Sequence, residues 1–283
     1  MFDQVLVPVD GSPESARALR PASAVAHYLG VMMHIVAYHS PNDDGFDLTQ
    51  LVQRQSREIG DVHRKIDVEP MTDTVDVLVG AKLEQAPGAL VVMSTRGQGR
   101  SAGLIGSVAN EVLARTHRPI MLIGPQCDVG RFRLHGKLVV ATDASPGTSP
   151  ALELAKELLE TFDHDPVVVN VIDPATERAL SRARSGPTGY DIVPDSAMAH
   201  RYAQDLGWST DRAEIDYQVL HDKHPGRAVA EFAGESGAVL VCMATQARSG
   251  LRRFALGSVT ADVVANAPCP VLAIAPAEIS QSP

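Results

Sequence analysis

Two stretches of this chain occur twice. Val5-Leu6-Val7-Pro8-Val9-Asp10-Gly11-Ser12-Pro13 returns as Leu138-Val139-Val140-Ala141-Thr142-Asp143-Ala144-Ser145-Pro146. Gly106-Ser107-Val108, opening an apolar-periodic run, returns as Gly257-Ser258-Val259. The aspartates lie 133 positions apart and the glycines 151, so the second copy holds about 18 more residues in its middle. Arg118-Pro119-Ile120-Met121-Leu122-Ile123 likewise pairs with Cys269-Pro270-Val271-Leu272-Ala273-Ile274. A period this long is domain-sized and excludes a solenoid of short repeats. The 283 residues therefore read as two related domains, 1–130 and 131–283, joined within the Gly-, Pro- and Asp-bearing segment Gly124–Gly136.

Each copy alternates short β-branched runs with helix-period segments, which predicts an α/β fold: a parallel sheet covered by helices on both faces. In the first copy strands are expected at Gln4–Val9, His34–Tyr38, Ile66–Glu69, Ala89–Met93 and Ile120–Ile123. Helices are expected at Pro13–Tyr28 (capped by Ser12 and kinked at Pro21), Leu48–His63, Thr74–Gln85 and Ser107–Thr116. In the second copy strands fall at Lys137–Thr142, Val167–Ile172, Ile215–Leu220, Ala238–Met243 and Val271–Ile274. Helices fall at Ser149–Phe162, Ala197–Leu206, Gly226–Ser236 and Ser258–Ala267. The two last strands are short, apolar and at a sheet edge, so they are expected to pair with each other.

Composition narrows the function. A net charge of −9 argues against a nucleic-acid or anionic-membrane binder, which needs a basic face. The longest apolar runs are far too short to cross a bilayer, and the N-terminal residues have no signal-peptide pattern. Cys127, Cys242 and Cys269 lack metal-binding or redox spacing; Cys242 and Cys269 read as core residues, and the sparse odd set suits a reducing cytosol. The His221-Asp222-Lys223-His224 and Asp163-His164-Asp165 clusters read as solvated turns. No P-loop and no Gly-x-Ser-x-Gly elbow is present.

In doubly wound sheets ligands bind beyond the carboxyl ends of the strands, where neighbouring strands send their chains in opposite directions. Asp10 and Asp143 end the first strand of each copy, and the loop after the fourth ends in Gly-Ser at a helix start. A helix N-terminus offers free N–H groups and a positive dipole end to an anion. The bland alternative is a turn and a helix cap, which duplication copies as faithfully as a site.

The set in order resembles the universal stress protein family in its tandem two-domain form. It comprises "VPVDGS" or "VATDAS", the second strand "VVVNVIDP" (Val167–Pro174), a fourth strand with a loop to "GSV", and a closing "xPVLxI" strand. The resemblance implies, for each half, a five-stranded parallel sheet of the adenine-nucleotide alpha hydrolase-like type. It also implies a regulatory site for ATP or another adenine nucleotide, with Mg only where ATP is bound. Carried over by resemblance, the pocket comprises Pro8, Val9, Asp10, Tyr38, Gly97, Gly106, Ser107 and Val108 in the first half. In the second half it comprises Ala141, Thr142, Asp143, Val171, Gly257, Ser258 and Val259. Both loops depart from the family's Gly-x-x-Gly, nine residues, Gly-Ser/Thr pattern. The first reads Ser94-Thr95-Arg96-Gly97 and is one residue short; the second has the spacing but carries Ala244 and Ala247 for the two glycines. The arginines Arg96, Arg100, Arg248, Arg252 and Arg253 flank the loops and could face phosphates or solvent.

The resulting expectation is a non-catalytic cytoplasmic stress-response protein, an intramolecular domain pair and a homodimer, with an unknown signalling partner and no nucleic acid or membrane. If a nucleotide is held, the first half, which keeps more glycine, should hold it more tightly. The rival readings are an interaction module with vestigial pockets and a slow ATPase using Asp10 or Asp143.

Overall fold

A computed structural model describes residues 2–95, 106–116, 118–143, 149–175, 215–245 and 256–275. Its first half runs β1 (Gln4–Val9), α1 (Pro13–Ala16), α2 (Leu19–Leu29), β2 (Met32–His39), α3 (Phe46–Arg57), β3 (Arg64–Pro70), α4 (Val75–Gln85), β4 (Ala89–Ser94), α5 (Ser107–Thr116) and β5 (Ile120–Ile123). Its second half runs β6 (Lys137–Thr142), α6 (Ser149–Phe162), β7 (Asp165–Ile172), β8 (Asp216–His221), α7 (Pro225–Glu235), β9 (Leu240–Ala244), α8 (Ser258–Asn266) and β10 (Val271–Ile274). The helix expected over 197–206 lies outside the described residues.

The single kinked helix expected over 13–28 is two helices. Ser12 caps α1, its Oγ accepting from the Ser15 N–H at 3.1 Å. The chain then breaks at Arg17–Ala18, which puts Pro21 in the first turn of α2, where its missing N–H leaves no carbonyl unpaired. The helix expected to reach His63 stops at Arg57, because Gly60 takes φ +83° and turns the chain toward β3.

The strands form one ten-stranded sheet in the order β3-β2-β1-β4-β5-β10-β9-β6-β7-β8. Within each half all five strands are parallel; among the described residues the single antiparallel pairing joins β5 to β10. There Val271 lies opposite Leu122, Leu272 opposite Met121 and Ala273 opposite Ile120. The two exposed edges have become one continuous interior, as the sequence led us to expect. Both faces are covered. Side chains of α1, α2, α3 and α6 build one core layer and those of α4, α5, α7 and α8 the other. β1, β4, β5 and β6 are thus almost wholly buried and correspondingly rich in Val, Leu and Ile.

The join is tight on both sides of the sheet. Gly124 passes so close to α8 that a Cβ there would stand 1.8 Å from the Val264 carbonyl oxygen. On the other face the Tyr28 ring meets His135 edge-on and packs on Phe162, with ring centroids 5.2 Å apart in each case. Beside them, Phe2, Val25, Met121, Leu158 and Leu272 leave a crevice of only about 10 Å³, at most room for one water. His164 does not behave as the solvated turn residue the sequence suggested. It is 7% exposed, packs on Phe162, and places Nδ1 3.2 Å from the Gly136 carbonyl.

Candidate functional site

The topology creates two switch points. β1 is flanked by β2 and β4, and β6 by β7 and β9, so the chain leaves these central strands in opposite directions. In the first half Pro8 and Val9 are buried in β1, and Asp10 follows at its carboxyl end, half-buried. Asp10 Oδ1 accepts from the Ser12 N–H at 2.9 Å and the Ser12 Oγ–H at 2.6 Å. Its own N–H donates to Ser15 Oγ at 3.2 Å. A carboxylate that orders its own turn in this way is preset in position.

Val9 pairs with Ala37, which sets Tyr38 beside Asp10 at the strand ends. The Tyr38 hydroxyl is fully buried and has no hydrogen-bond partner among the described residues. Burial, with Glu69 and Asp67 nearby, pushes its pKa up to about 12, so it stays a protonated donor at neutral pH. Deeper along β2 and β3 lies a charged network. His34 Nε2 is 2.8 Å from Asp67 Oδ2, Lys65 Nζ is 2.7 Å from the same oxygen, and Lys82 Nζ is 2.6 Å from Glu69 Oε1. Burial raises the Asp67 pKa, but hydrogen bonds from Lys65 and His34 outweigh it and hold the carboxyl below its ordinary value.

The α5 mouth returns to the end of β4. The Gly106 N–H donates to the Thr95 carbonyl at 2.8 Å, and Thr95 N–H donates to Ile123 at 3.1 Å. A Cβ on Gly106 would stand 3.1 Å from the Thr95 oxygen, so glycine keeps this closure close. Ser107 is the first residue of α5 and Val108, half-buried, the second. Gly97, Arg96 and Arg100 lie outside the described residues.

The second half repeats the backbone. Ala141 and Thr142 are buried at the end of β6, and Asp143 follows, exposed. Thr142 pairs with Asn170, which brings Val171 beside Asp143. The Thr245 N–H donates to Ile274 at 2.8 Å, matching Thr95. Gly257 caps α8 with φ −54°, a conformation open to any residue, and Ser258 and exposed Val259 form its first turn. The Gly-Ser reading is thereby refined: in α8 the glycine is the cap and the serine is already helical. Ala247, Arg248, Arg252 and Arg253 lie outside the described residues.

Neither α5 nor α8 carries an acidic residue in its first turn, as is also true of α2, α6 and α7, whereas α1, α3 and α4 hold Glu14, Asp47 and Asp76 there. Their positive dipole ends face no first-turn carboxylate of their own, and what sets them apart from the other helices without one is their place at the switch points, where an external anion could approach. The orphaned Tyr38 hydroxyl also suits a hydrogen-bonding group on a ligand. Among the described residues no group of three His, Cys, Asp or Glu side chains could hold a metal, and no helix is long and apolar enough to cross a membrane. Cys127, Cys242 and Cys269 are all buried free thiols; burial pushes each up to about 12, so they act as small core side chains. Sequence reasoning overlooked Thr95 and Thr245 as the loop anchors, although the same residue stands one position past the fourth strand in both copies.

A doubly wound sheet duplicated in one chain, with an aspartate and a Gly-Ser helix mouth at each switch point, defines a tandem two-domain protein of the α/β class. The universal stress protein family profile matches residues 1–124 and 135–275, and the chain belongs to that family. A universal stress protein of Mycobacterium tuberculosis is 26% identical over 310 aligned residues, covering 99% of this chain and 96% of its own. One from Methanocaldococcus jannaschii is 27% identical over 146 residues, covering 50% of this chain and 82% of its own. Among solved structures, a universal stress protein from Archaeoglobus fulgidus superposes with a TM-score of 0.65 at 17% identity, covering 97% of this chain and 99% of that one. A putative universal stress protein from Pseudomonas aeruginosa gives 0.61 at 17% identity, with 97% and 94% covered.

Proposed function

We propose that this stress-family protein is a non-catalytic, cytoplasmic sensor whose two domains, residues 1–130 and 131–283, each offer a regulatory site to an adenine nucleotide. The observation that carries this reading is the repeated pairing of an aspartate at the switch point with a helix that opens on Gly-Ser and has no acid of its own in the first turn. In the first half Gly97, Gly106, Ser107 and Val108 would receive the phosphates, with Pro8, Val9, Asp10 and Tyr38 on the nucleoside. In the second, Gly257, Ser258 and Val259 face the phosphates and Ala141, Thr142, Asp143 and Val171 the nucleoside. Mg would accompany ATP. The bound nucleotide acts as a conformational signal to an unidentified partner, and two chains pair into a homodimer.

The first site binds more tightly. It keeps Gly97, where the second loop has Ala247, and it adds the Tyr38 hydroxyl where the second half has Val171. Mass spectrometry of denatured purified protein should release ATP or ADP. Calorimetric titration with ATP should lose the tighter phase in Gly106→Val and the weaker in Gly257→Val, each checked for folding. An empty protein that takes up no ATP refutes the reading; loss of all binding on Gly257→Val alone reverses the ranking.

A further inference from the structure

Asn110 touches both helix mouths. Its backbone N–H donates to the Gly106 carbonyl at 3.3 Å, tying it to the start of its own helix. Its side-chain Oδ1 accepts from the Leu256 N–H at 3.2 Å, across the join between the halves. Leu256 is buried in the core layer beneath α8 and directly precedes Gly257, whose carbonyl accepts from the Ala261 N–H at 2.9 Å. Two hydrogen bonds therefore run from the mouth of α5 to the residue that positions the mouth of α8. The duplicated position of Asn110 is Ala261, which has no side-chain acceptor, so the symmetry-related bond cannot form. A simple copy of a cap would have appeared in both halves.

We propose that Asn110 is a positioning residue that couples the two switch-point sites. A shift of the first turn of α5 moves the Leu256 amide and with it the start of α8. Because coupling is reciprocal, an event at the α8 mouth acts equally on α5. For nucleotides the proposal rests on the functional reading above: an anion seated at one mouth changes the affinity of the other.

The test begins without ligand. Amide exchange, read by NMR, follows Leu256 and the first turn of α8 in four proteins: native, Gly106→Ala, Asn110→Ala and the double variant. Gly106→Ala sets a methyl 3.1 Å from the Thr95 oxygen and so nudges the α5 mouth. It should speed exchange at Val259–Ala261 about fivefold in the native background, the factor that one hydrogen bond is worth. In the Asn110→Ala background it should change nothing there. Asn110→Asp, which keeps the acceptor, should restore the response; Asn110→Ser, too short to reach, replaces the alanine variant if that one fails to fold. Equal acceleration in both backgrounds, or none in either, overturns the proposal. In titrations, ATP binding at the two sites should show a coupling factor of at least about fivefold in native protein. That factor should fall to one in Asn110→Ala. If native protein binds no ATP, the nucleotide reading fails while the exchange experiment still decides whether Asn110 couples the mouths.

Discussion

Replacing Gly124 with alanine should loosen the seam between the halves. The added Cβ would stand 1.8 Å from the Val264 carbonyl oxygen and 3.0 Å from its carbon. Ordinary contact needs about 3.4 Å, so the strand end and α8 must part by roughly 1.6 Å. Neither is a free side chain: both are backbone, one leaving β5 and one inside α8. Overpacking of a rigid site costs about 1–3 kcal/mol, and this case belongs at the upper end. Alanine also restricts the unfolded chain, which returns about 0.4–1 kcal/mol. The net loss is about 2 kcal/mol, with three residue pairs of β5 and β10 next to the strain. Urea unfolding followed by circular dichroism should show the loss, and amide exchange should accelerate first at Ile120–Ile123 and Val271–Ile274. Gly80→Ala supplies the contrast. Gly80 lies inside α4 and, among the described residues, its new methyl meets only the Arg115 Cδ at 3.4 Å, so this variant should gain about 0.5–1 kcal/mol. If Gly124→Ala unfolds at the native midpoint, the close backbone approach does not hold the halves together.

Tyr38→Phe removes an unpaired buried hydroxyl, so the ligand-free protein should be unchanged or gain up to about 1 kcal/mol in thermal unfolding; a clear loss would show that the hydroxyl is satisfied. Arg115→Ala removes the cationic partner of Asp76, which is 2% exposed, accepts from Arg115 Nε at 3.1 Å and keeps its hydrogen bonds with Thr74 and Glu111. Because Arg115 itself is half-exposed, the expected cost is about 1–3 kcal/mol in urea, less than for a fully buried pair, and Asp76→Asn in the same background should recover part of it. Burial holds the His164 pKa below its ordinary 6.5, so the unfolded chain takes up more protons than the folded one as pH falls below 6.5. Stability should therefore drop from pH 6.5 toward the folded-state pKa, and His164→Gln should flatten that part of the curve; an unchanged slope would mean another group is responsible.

The strands were legible because a strand buried on both faces must be apolar along its whole length, as in Val5–Val9 and Leu138–Thr142. The β5–β10 pairing was legible for a related reason: a short apolar edge strand has few ways to satisfy its backbone. Pro21 reads as a kink because the sequence shows where an N–H is missing but not that the chain can restart a helix two residues earlier. His164 was misjudged since its neighbours Asp163 and Asp165 are polar, while the rings that bury it come from Phe162 and the seam. Asn110 had no local signal at all. Its partner is 146 residues away, and only the antiparallel join brings them together. The candidate sites were legible as backbone, through the repeated Asp and Gly-Ser. The Tyr38 hydroxyl was not, because the lack of a partner is a property of packing.

Duplication reproduces backbone mouths whether or not they bind anything, so the copied Gly-Ser-Val carries little weight alone. The differences between the halves carry more. By strand register, Val36, Asp67, Tyr38 and Glu69 correspond to Val169, Gln218, Val171 and Leu220. His34 and Lys65 correspond likewise to Val167 and Asp216, so the second half is apolar at Val167, Val169, Val171 and Leu220 and keeps one exposed polar pair, Gln218 Nε2 donating to the Asp216 carboxylate at 3.1 Å. Stability alone therefore does not call for the half-buried His34–Asp67–Lys65 and Lys82–Glu69 contacts, since well-packed apolar replacements of buried ion pairs are often as stable or more so. That network lies beside Tyr38, whose phenol is held protonated first by burial and then by Glu69 and Asp67, and has no hydrogen-bond partner among the described residues. Gln55 Oε1 and Ser236 Oγ are also buried without a partner among the described residues, so the weight rests on where the Tyr38 hydroxyl lies: at the first switch point, where the second half has Val171. The asymmetry supports the proposal of unequal sites, in which the first would hydrogen-bond a ligand and the second would be tied to it through Asn110.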